Sequence, residues 1–252
     1  MIEALAGVFG LLIGSFLNVC IYRWPRDLSV VAPRSRCLEC KKTIAWYDNI
    51  PLVSYLILGA RCRHCRAKIH WRYPAVELLT AIGFVLFVHR DGLTLLAARD
   101  CLFVAILIAL AFADADSRIL PDELTLGGAA IGLVLAAFTG SIVDSLLGAA
   151  VCSSVLWLGG WLYEKVRHRQ GLGLGDVKML AMIGAFLGLA ASLLTILLGS
   201  LIGAVTGILW IRLKGKDAAT FELPFGTFLA IGAFLAAVEG KEILAWYVRH
   251  LL

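Results

Sequence analysis

The sequence has few charged residues for its length, and this scarcity limits the class of protein to which it can belong. Only 16% of its 252 residues are charged and 60% are hydrophobic. An ordinary soluble domain has about 25% charged and about 45–50% apolar residues. A soluble fold of this size could not bury so much apolar surface. The composition therefore excludes a soluble globular protein and predicts that a lipid bilayer surrounds most of the chain.

Basic residues are absent before the first apolar run, which covers residues 4–22. A secretory signal peptide needs a basic segment before its apolar core and a small-residue cleavage site after it. Here the positive charges follow the run, so we expect a retained membrane anchor with its N-terminus outside the cell. A basic stretch interleaved with aromatic residues is also absent, so the net charge of +5 does not indicate nucleic-acid binding.

Apolar runs recur along the rest of the chain and predict an all-α polytopic membrane protein with about eight transmembrane helices. The stretch 177–211 contains one charge, Lys178, and as a single helix it would be about 52 Å long. The hydrocarbon core of a bilayer is only about 30 Å thick, so we expect a hairpin with a turn near Gly188–Ser192. The predicted spans are roughly 4–22, 74–89, 99–113, 124–142, 145–163, 177–189, 192–212 and 225–238 or a little beyond.

The positive charges agree with eight alternating spans. In that arrangement 19 of the 23 Lys and Arg residues fall on one side, which the positive-inside rule identifies as the cytoplasm. We therefore expect a first transmembrane helix at 1–22, a cytoplasmic loop at 23–73 and a transmembrane domain at 74–252. The loop is too short to hold a good core unaided. We see no fixed-period repeat in the chain.

Four of the seven cysteines form two Cys-x-x-Cys pairs within this loop. The pairs are 21 residues apart, a spacing that predicts a closed, structural zinc site with four sulfur ligands. Such a site would stabilise a loop that burial alone cannot. The alternative is a redox or disulfide set, which a reducing cytoplasm disfavours. We expect His64 to be a bystander and the single cysteines to be buried and inert. The predicted ligands are Cys37, Cys40, Cys62 and Cys65, and the single cysteines are Cys20, Cys101 and Cys152.

Acidic residues at the edges of the apolar spans form the second pattern. Asp114 ends an uncharged run, and Asp176 follows the glycine-rich loop 171–175 at the start of the sixth span. Ionisable groups within the membrane or at its edge are costly, so they are functional-site hypotheses by default. In the predicted topology both aspartates lie at cytoplasmic helix ends. Two carboxylates that share one proton can activate water and polarise a peptide carbonyl, so the pattern predicts an aspartyl protease site.

Other interpretations remain open for the acidic residues. Asp122 is most simply a cap for the fourth span, Asp116 could pair with Arg118, and Asp176 could be only an N-cap. The glycine-rich loop could also be a dinucleotide-binding loop. It follows a basic turn rather than a predicted strand, however, so the context that a dinucleotide site requires is missing.

The chain resembles the bacterial prepilin peptidases (type 4 leader peptidases), which are GxGD aspartyl proteases. The resemblance rests on the cysteine pairs and on motifs spread over residues 10–184. Two departures touch no residue assigned to chemistry: Trp24 where an aliphatic residue is commoner, and Leu-Gly-Ala-Arg where the family tends toward arginine and glycine before the third cysteine. The motifs are GLLIGSFLNVCIYRWP at 10–25, NIPLVSYLILGARCRHC, RYPAVELLTA, DADSRILPD and GLGLGD.

This resemblance implies which residues carry out the reaction. The catalytic aspartates of the family correspond to Asp114 and Asp176, and Asp116 falls at a variable position. Such proteins remove the short basic leader of type IV prepilins and type II secretion pseudopilins at the cytoplasmic face of the bacterial plasma membrane. They cut after a glycine while the substrate's apolar helix stays in the bilayer. Members with the tetracysteine loop commonly also N-methylate the new terminus with S-adenosylmethionine, an activity that only the resemblance implies here.

Two other functions remain possible at this point. One is a peptidase that lacks the methyltransferase activity. The other belongs to a different class: a transporter or assembly scaffold in which the aspartates relay protons or cations. Cleavage of a leader-bearing pilin distinguishes the peptidase from the transporter.

Overall fold

The computed structural model describes residues 1–168, 171, 173–214 and 223–251. Arg169, Leu172 and Lys216, which belong to the predicted charge and glycine patterns, lie outside these residues. Within the described ranges the regular structure is helical apart from two isolated β-bridges, which confirms the all-α class. The α-helices are α1 (Ile2–Arg23), α2 (Val53–Ile57), α3 (Arg72–Asp91), α4 (Leu95–Ser117), α5 (Asp122–Thr139), α6 (Ile142–Arg167), α7 (Leu174–Lys214) and α8 (Phe225–Leu251).

Six of these helices are long and apolar enough to cross a membrane, counting only the part of the chain that the structure describes. They are α1, α3, α4, α5, α6 and α7. Helix α8 is apolar in its first half but carries Glu239, Lys241 and Glu242 in its second half. The polytopic membrane class is therefore confirmed, whereas the number of eight spans stays a prediction.

Helix α7 is broken at Gly188, which has φ +78° and ψ −176°. Glycine adopts this left-handed region without the steric penalty of a Cβ. The break is also held from outside, because the Asp144 carboxylate in the first turn of α6 accepts a hydrogen bond from the Leu189 N–H at 3.1 Å. The 41 residues of α7 would otherwise extend about 60 Å as one straight helix.

The two segments of α7 run in opposite directions. The beginning of α7 lies near the start of α8, because Cβ atoms placed on Gly175 and Gly226 would each lie 3.2 Å from the Leu120 side chain. The end of α7 lies there too, since a Cβ on Gly207 would lie 2.7 Å from Leu223. In a straight helix Gly175 and Gly207 would be about 48 Å apart. The predicted hairpin, with its turn near Gly188, is therefore confirmed.

The chain divides into two compact units, Met1–Ala109 and Leu110–Leu252. In the first unit α1 and α3 pack antiparallel through glycines. A Cβ on Gly10 would lie 2.6 Å from Ala81 Cα, and a Cβ on Gly14 would lie 2.6 Å from Glu77 Cα. Small residues allow membrane helices to approach closely and gain dispersion contacts. In the second unit α5, α6 and α8 each pack against α7.

Candidate active site and tetracysteine site

Asp114 lies near the end of α4 and is buried, with 5% of its surface exposed. Its Oδ2 accepts a hydrogen bond from the Thr227 backbone N–H at 2.8 Å. The Thr227 hydroxyl lies 3.2 Å from the same oxygen and 3.0 Å from the Ala111 carbonyl oxygen, so its single proton serves one of them at a time. The Gly226 backbone also hydrogen-bonds to the carboxylate. The first turn of α8 therefore holds Asp114 in place.

This arrangement follows from where α8 begins. The helix starts at Phe225, so Gly226 and Thr227 belong to its first turn, where backbone N–H groups have no acceptor within the helix. These groups and the positive end of the helix dipole favour a carboxylate in its ionised form. Residues after Pro224 thus supply the donors that a buried Asp114 needs.

Asp176 lies in the first turn of α7, and the structure brings it together with Asp114. The two carboxylates are close enough to interact electrostatically. The Leu120 side chain lies near both aspartates. It packs against Gly175, which precedes Asp176 in the chain, and against Gly226, which contacts Asp114. Two acidic side chains that are distant in sequence therefore lie at the meeting point of three helix ends.

The other acidic residues of the motif occupy different environments. Asp116 is exposed. Asp122 is the first residue of α5, and its carboxylate accepts hydrogen bonds from Lys178 Nζ at 2.8 and 2.9 Å. The N-terminus of α5 has no side-chain cap, so the predicted capping role of Asp122 is wrong. The Asp122–Lys178 ion pair instead ties the start of α5 to the start of α7.

Gly226 and Thr227 were not predicted as functional residues. The start of the last span was predicted correctly at 225, but no function was predicted for the residues there. A proline just before an apolar run, here Pro224, indicates a helix start. The free N–H groups of a helix start can donate hydrogen bonds to a buried carboxylate. That the partner is Asp114 depends on the packing of α4 against α8, which the local pattern does not contain.

The predicted zinc ligands form one cluster in the unit Met1–Ala109. The four sulfur atoms all lie within 4.8 Å of one another, and Cys37 Sγ and Cys65 Sγ are 3.8 Å apart. A tetrahedral zinc site with Zn–S bonds of about 2.3 Å requires sulfur atoms about 3.8 Å apart. All seven cysteines are described and are free thiols in this structure. The residues Cys37, Cys40, Cys62 and Cys65 can therefore hold a metal ion.

The two cysteine pairs share one backbone arrangement, which makes the expectation of no repeat wrong for this loop. Each first cysteine accepts a backbone hydrogen bond from the residue four positions later, Lys41 to Cys37 and Arg66 to Cys62, both at 3.0 Å. Each pair is also flanked by one isolated β-bridge. The signal was present in the sequence, because RCLECKKTIAW recurs 25 residues later as RCRHCRAKIHW.

The thiols of the cluster influence one another's ionisation. Hydrogen bonds from the backbone of Cys65 and His64 lower the pKa of the Cys62 thiol to about 7. The pKa of the Cys65 thiol is instead raised to about 11, because the lowering by a backbone hydrogen bond with Ala67 is outweighed by burial and by hydrogen bonds with the other thiols. His64 thus contributes through its backbone and is not a member of the cluster, as predicted. The single cysteines Cys20, Cys101 and Cys152 are buried, also as predicted.

The chain is a polytopic helical membrane protein in which two acidic side chains lie where helix ends meet. A separate loop holds a cluster of four thiols. This combination is typical of a membrane aspartyl peptidase. Comparison with known proteins makes this class specific. Residues 8–90 match the bacterial peptidase A24 N-terminal domain, and residues 101–208 match the type IV leader peptidase family. The chain belongs to the type IV leader peptidase family.

Several curated relatives carry the name prepilin leader peptidase/N-methyltransferase. The protein from Pseudomonas aeruginosa is 38% identical over 96% of this chain and 92% of its own length. The protein from Myxococcus xanthus is 45% identical over 85% of this chain and 65% of its own length. The protein from Neisseria gonorrhoeae is 34% identical over 98% of this chain and 94% of its own length. No solved structure matches the chain.

Proposed function

We propose that this chain is a membrane aspartyl endopeptidase that removes the leader peptides of type IV prepilins and type II secretion pseudopilins. We further propose that it N-methylates the new N-terminal residue of the product. The observation that carries the peptidase is the convergence of Asp114 and Asp176, which come from different helices and lie beside the same residue, Leu120, where the end of α4 meets the starts of α7 and α8. The names of the relatives support both activities.

The surroundings of the two aspartates suggest different roles for them. Like charges at short distance do not both ionise, so the pair holds one proton. Hydrogen bonds from the Thr227 N–H and the Gly226 backbone favour the charged form of Asp114. Asp114 then acts as the general base that takes a proton from the attacking water. Asp176 holds the shared proton, polarises the scissile carbonyl and passes the proton to the leaving amine.

We place the reaction at the cytoplasmic face of the bacterial inner membrane. The distribution of Lys and Arg supports this orientation, because 19 of 23 fall on the predicted cytoplasmic side. Asp114 and Asp176 each lie within the last or first turn of a membrane-length helix. A peptide bond just outside the apolar segment of a substrate can reach this level while the segment stays in the bilayer.

For the four-cysteine cluster we propose structural zinc. The 3.8 Å separation of Cys37 and Cys65 suits tetrahedral coordination by four thiolates, which leaves no open position for a catalytic water. The ion would stabilise the loop between α1 and α3, where burial is scarce. For the methyl transfer we propose S-adenosylmethionine as the donor.

Incubation of the detergent-purified protein with a leader-bearing prepilin, followed by electrophoresis, tests the peptidase. We expect a shortened product whose new N-terminus is the residue after the leader glycine. A prepilin that stays intact with folded protein would contradict the proposal and favour the proton-relay transporter or scaffold. Methylation is assayed separately on a pre-cleaved pilin, so that a peptidase without transferase activity is recognised as such.

A further inference from the structure

A groove of about 410 Å³ lies in the unit Met1–Ala109, between α1 and two stretches of the loop that follows it. Its apolar wall is the face of α1 that carries Leu12, Phe16 and Val19, which recur at the spacing of one helix face. Leu12 is 55% exposed and Phe16 is 49% exposed. Because α1 is long and apolar enough to cross a membrane, this wall is available to the acyl chains of the bilayer.

The opposite wall of the groove lies at membrane depth as well, because hydrogen bonds hold it against α3. The buried Glu77 lies about 8 Å along α3 from its first residue, Arg72. The Glu77 carboxylate accepts a hydrogen bond from the Leu52 N–H at 2.9 Å, and it also hydrogen-bonds with the side chain of Ser15, which lines the groove. Pro51, which precedes Leu52, is part of the lining too. The loop therefore reaches below the end of α3 at this point.

The groove is basic at the level where α1 ends. Arg23 is the last residue of α1, and its guanidinium donates hydrogen bonds to the carbonyl oxygens of Ser29 at 2.7 Å and Pro33 at 2.6 Å. These bonds fix the segment that precedes Arg34, an exposed residue of the lining. The described lining contains both arginines and no acidic side chain. This end of the groove therefore favours an anion.

The separation of the basic and apolar parts of the groove suits a phospholipid. Leu12 and Arg23 are about 17 Å apart along α1, and one leaflet of the hydrocarbon core is about 15 Å thick. A headgroup phosphate beside the arginines therefore places an acyl chain along Phe16 and Leu12. Trp46 lines the groove and is 73% exposed, which fits the same level because tryptophan is enriched at membrane–water interfaces.

We propose that this groove binds an anionic phospholipid. Arg34 donates two parallel hydrogen bonds to phosphate oxygens, the geometry that suits a guanidinium. Arg23 has five N–H donors and contributes its remaining ones together with its charge. One acyl chain lies along the apolar face of α1. The aspartates of the peptidase belong to the unit Leu110–Leu252, so lipid binding in this groove is a separate property of the chain.

Native mass spectrometry of the detergent-purified full chain tests the proposal by measuring the binding of defined lipids. We expect phosphatidylglycerol to bind about 10-fold or more tightly than zwitterionic phosphatidylcholine with the same acyl chains, because its phosphate charge is not compensated. Arg34→Gln should lower the affinity for phosphatidylglycerol about 10-fold, whereas Arg34→Lys keeps the charge and should recover part of it. The matched control Arg36→Gln, an equal change at an exposed position outside the lining, should bind within about twofold of the unchanged protein.

A second pair of variants tests the acyl part of the site. Phe16→Ala should weaken the binding of phosphatidylglycerol about fivefold, because it removes apolar surface from the wall. Phe138→Ala changes an exposed phenylalanine of α5 and should leave the affinity unchanged. All variants should melt within a few degrees of the unchanged protein. The preference for phosphatidylglycerol is measured on the unchanged protein, so it tests the proposal independently of how any variant folds.

Three results would overturn the proposal. Equal affinity for the two lipids would show that the groove holds only the unselective lipid that surrounds any membrane protein. An equal loss of affinity in Arg34→Gln and Arg36→Gln would show a general effect of the charge on the loop. Displacement of phosphatidylglycerol by soluble glycerol 3-phosphate at similar concentration would show that the arginines bind a free phosphate and that the apolar wall has no part in the site.

Discussion

Replacement of Gly226 by alanine probes how closely α8 approaches the Asp114 carboxylate. A Cβ at this position would lie 3.0 Å from Asp114 Oδ2 and 3.2 Å from both Asp114 Cγ and Leu120 Cδ1. Ordinary van der Waals contacts begin near 3.4 Å, so the carboxylate has to move by a few tenths of an ångström. Its hydrogen bond of 2.8 Å from the Thr227 N–H resists that movement.

The expected effect is on catalysis more than on folding. A displacement of about 1 Å in a catalytic group lowers rates by about 100-fold, so a shift of a few tenths should lower kcat by roughly 10-fold. The KM for prepilin should change little, because the apolar helix of the substrate supplies most of the binding. The assay is a time course of prepilin cleavage in detergent at several substrate concentrations.

A control glycine in α5 separates local crowding from general effects of adding a methyl group. A Cβ on Gly127 would have no heavy atom within 4 Å, so Gly127→Ala should cleave at the unchanged rate. Both variants should melt within a few degrees of the starting protein. The reasoning is refuted if folded Gly226→Ala cleaves prepilin within twofold of the Gly127→Ala rate.

Three further changes test the loop and the hairpin. Cys37→Ser combined with Cys62→Ser should abolish metal binding, measured as zinc per chain in freshly purified reduced protein; finding no zinc in the starting protein would contradict the zinc proposal. Ala60 has φ +57°, a backbone conformation that costs a residue with a Cβ about 1–2 kcal/mol. Because glycine avoids this cost but loses more chain entropy on folding, Ala60→Gly should raise the stability of the loop by up to about 1 kcal/mol. We expect a higher melting temperature, and a lower one would contradict this reasoning. Gly188→Ala combines a left-handed φ with a collision against the Asp144 carboxylate and should lower stability by about 2 kcal/mol or more, with partial recovery when Asp144→Ala is added. An unchanged melting temperature for Gly188→Ala would contradict the broken α7.

The features that could be predicted from the sequence are those whose chemistry requires uncommon residues. Four cysteines at metal spacing indicate a cluster because thiols converge on one ion, and Cys37 and Cys65 indeed lie 3.8 Å apart. The α7 hairpin was predictable because its length exceeds the bilayer thickness. Asp114 and Asp176 were distinguished by their depth, and their catalytic role stays a prediction.

The features that were missed depend on packing between distant segments. Gly10 and Gly14 are ordinary residues of an apolar run until α3 lies against them. The partnership of Thr227 with Asp114 exists only because α8 begins beside the end of α4. Asp122 was interpreted as a cap because local sequence offers only a local partner, whereas Lys178 of α7 supplies its actual counterion.

Cleavage by amide variants of the two paired aspartates tests the central claim most directly. An amide cannot take a proton from water or hold the shared proton, so Asp114→Asn and Asp176→Asn should each lower the rate of prepilin cleavage by about 1,000-fold or more. Asp116→Asn, an equal change at an exposed neighbouring position, should keep most of the activity. Both inactive variants should still methylate a pre-cleaved pilin, which shows that they are folded. Cleavage by either Asp114→Asn or Asp176→Asn at near the unchanged rate would contradict the account.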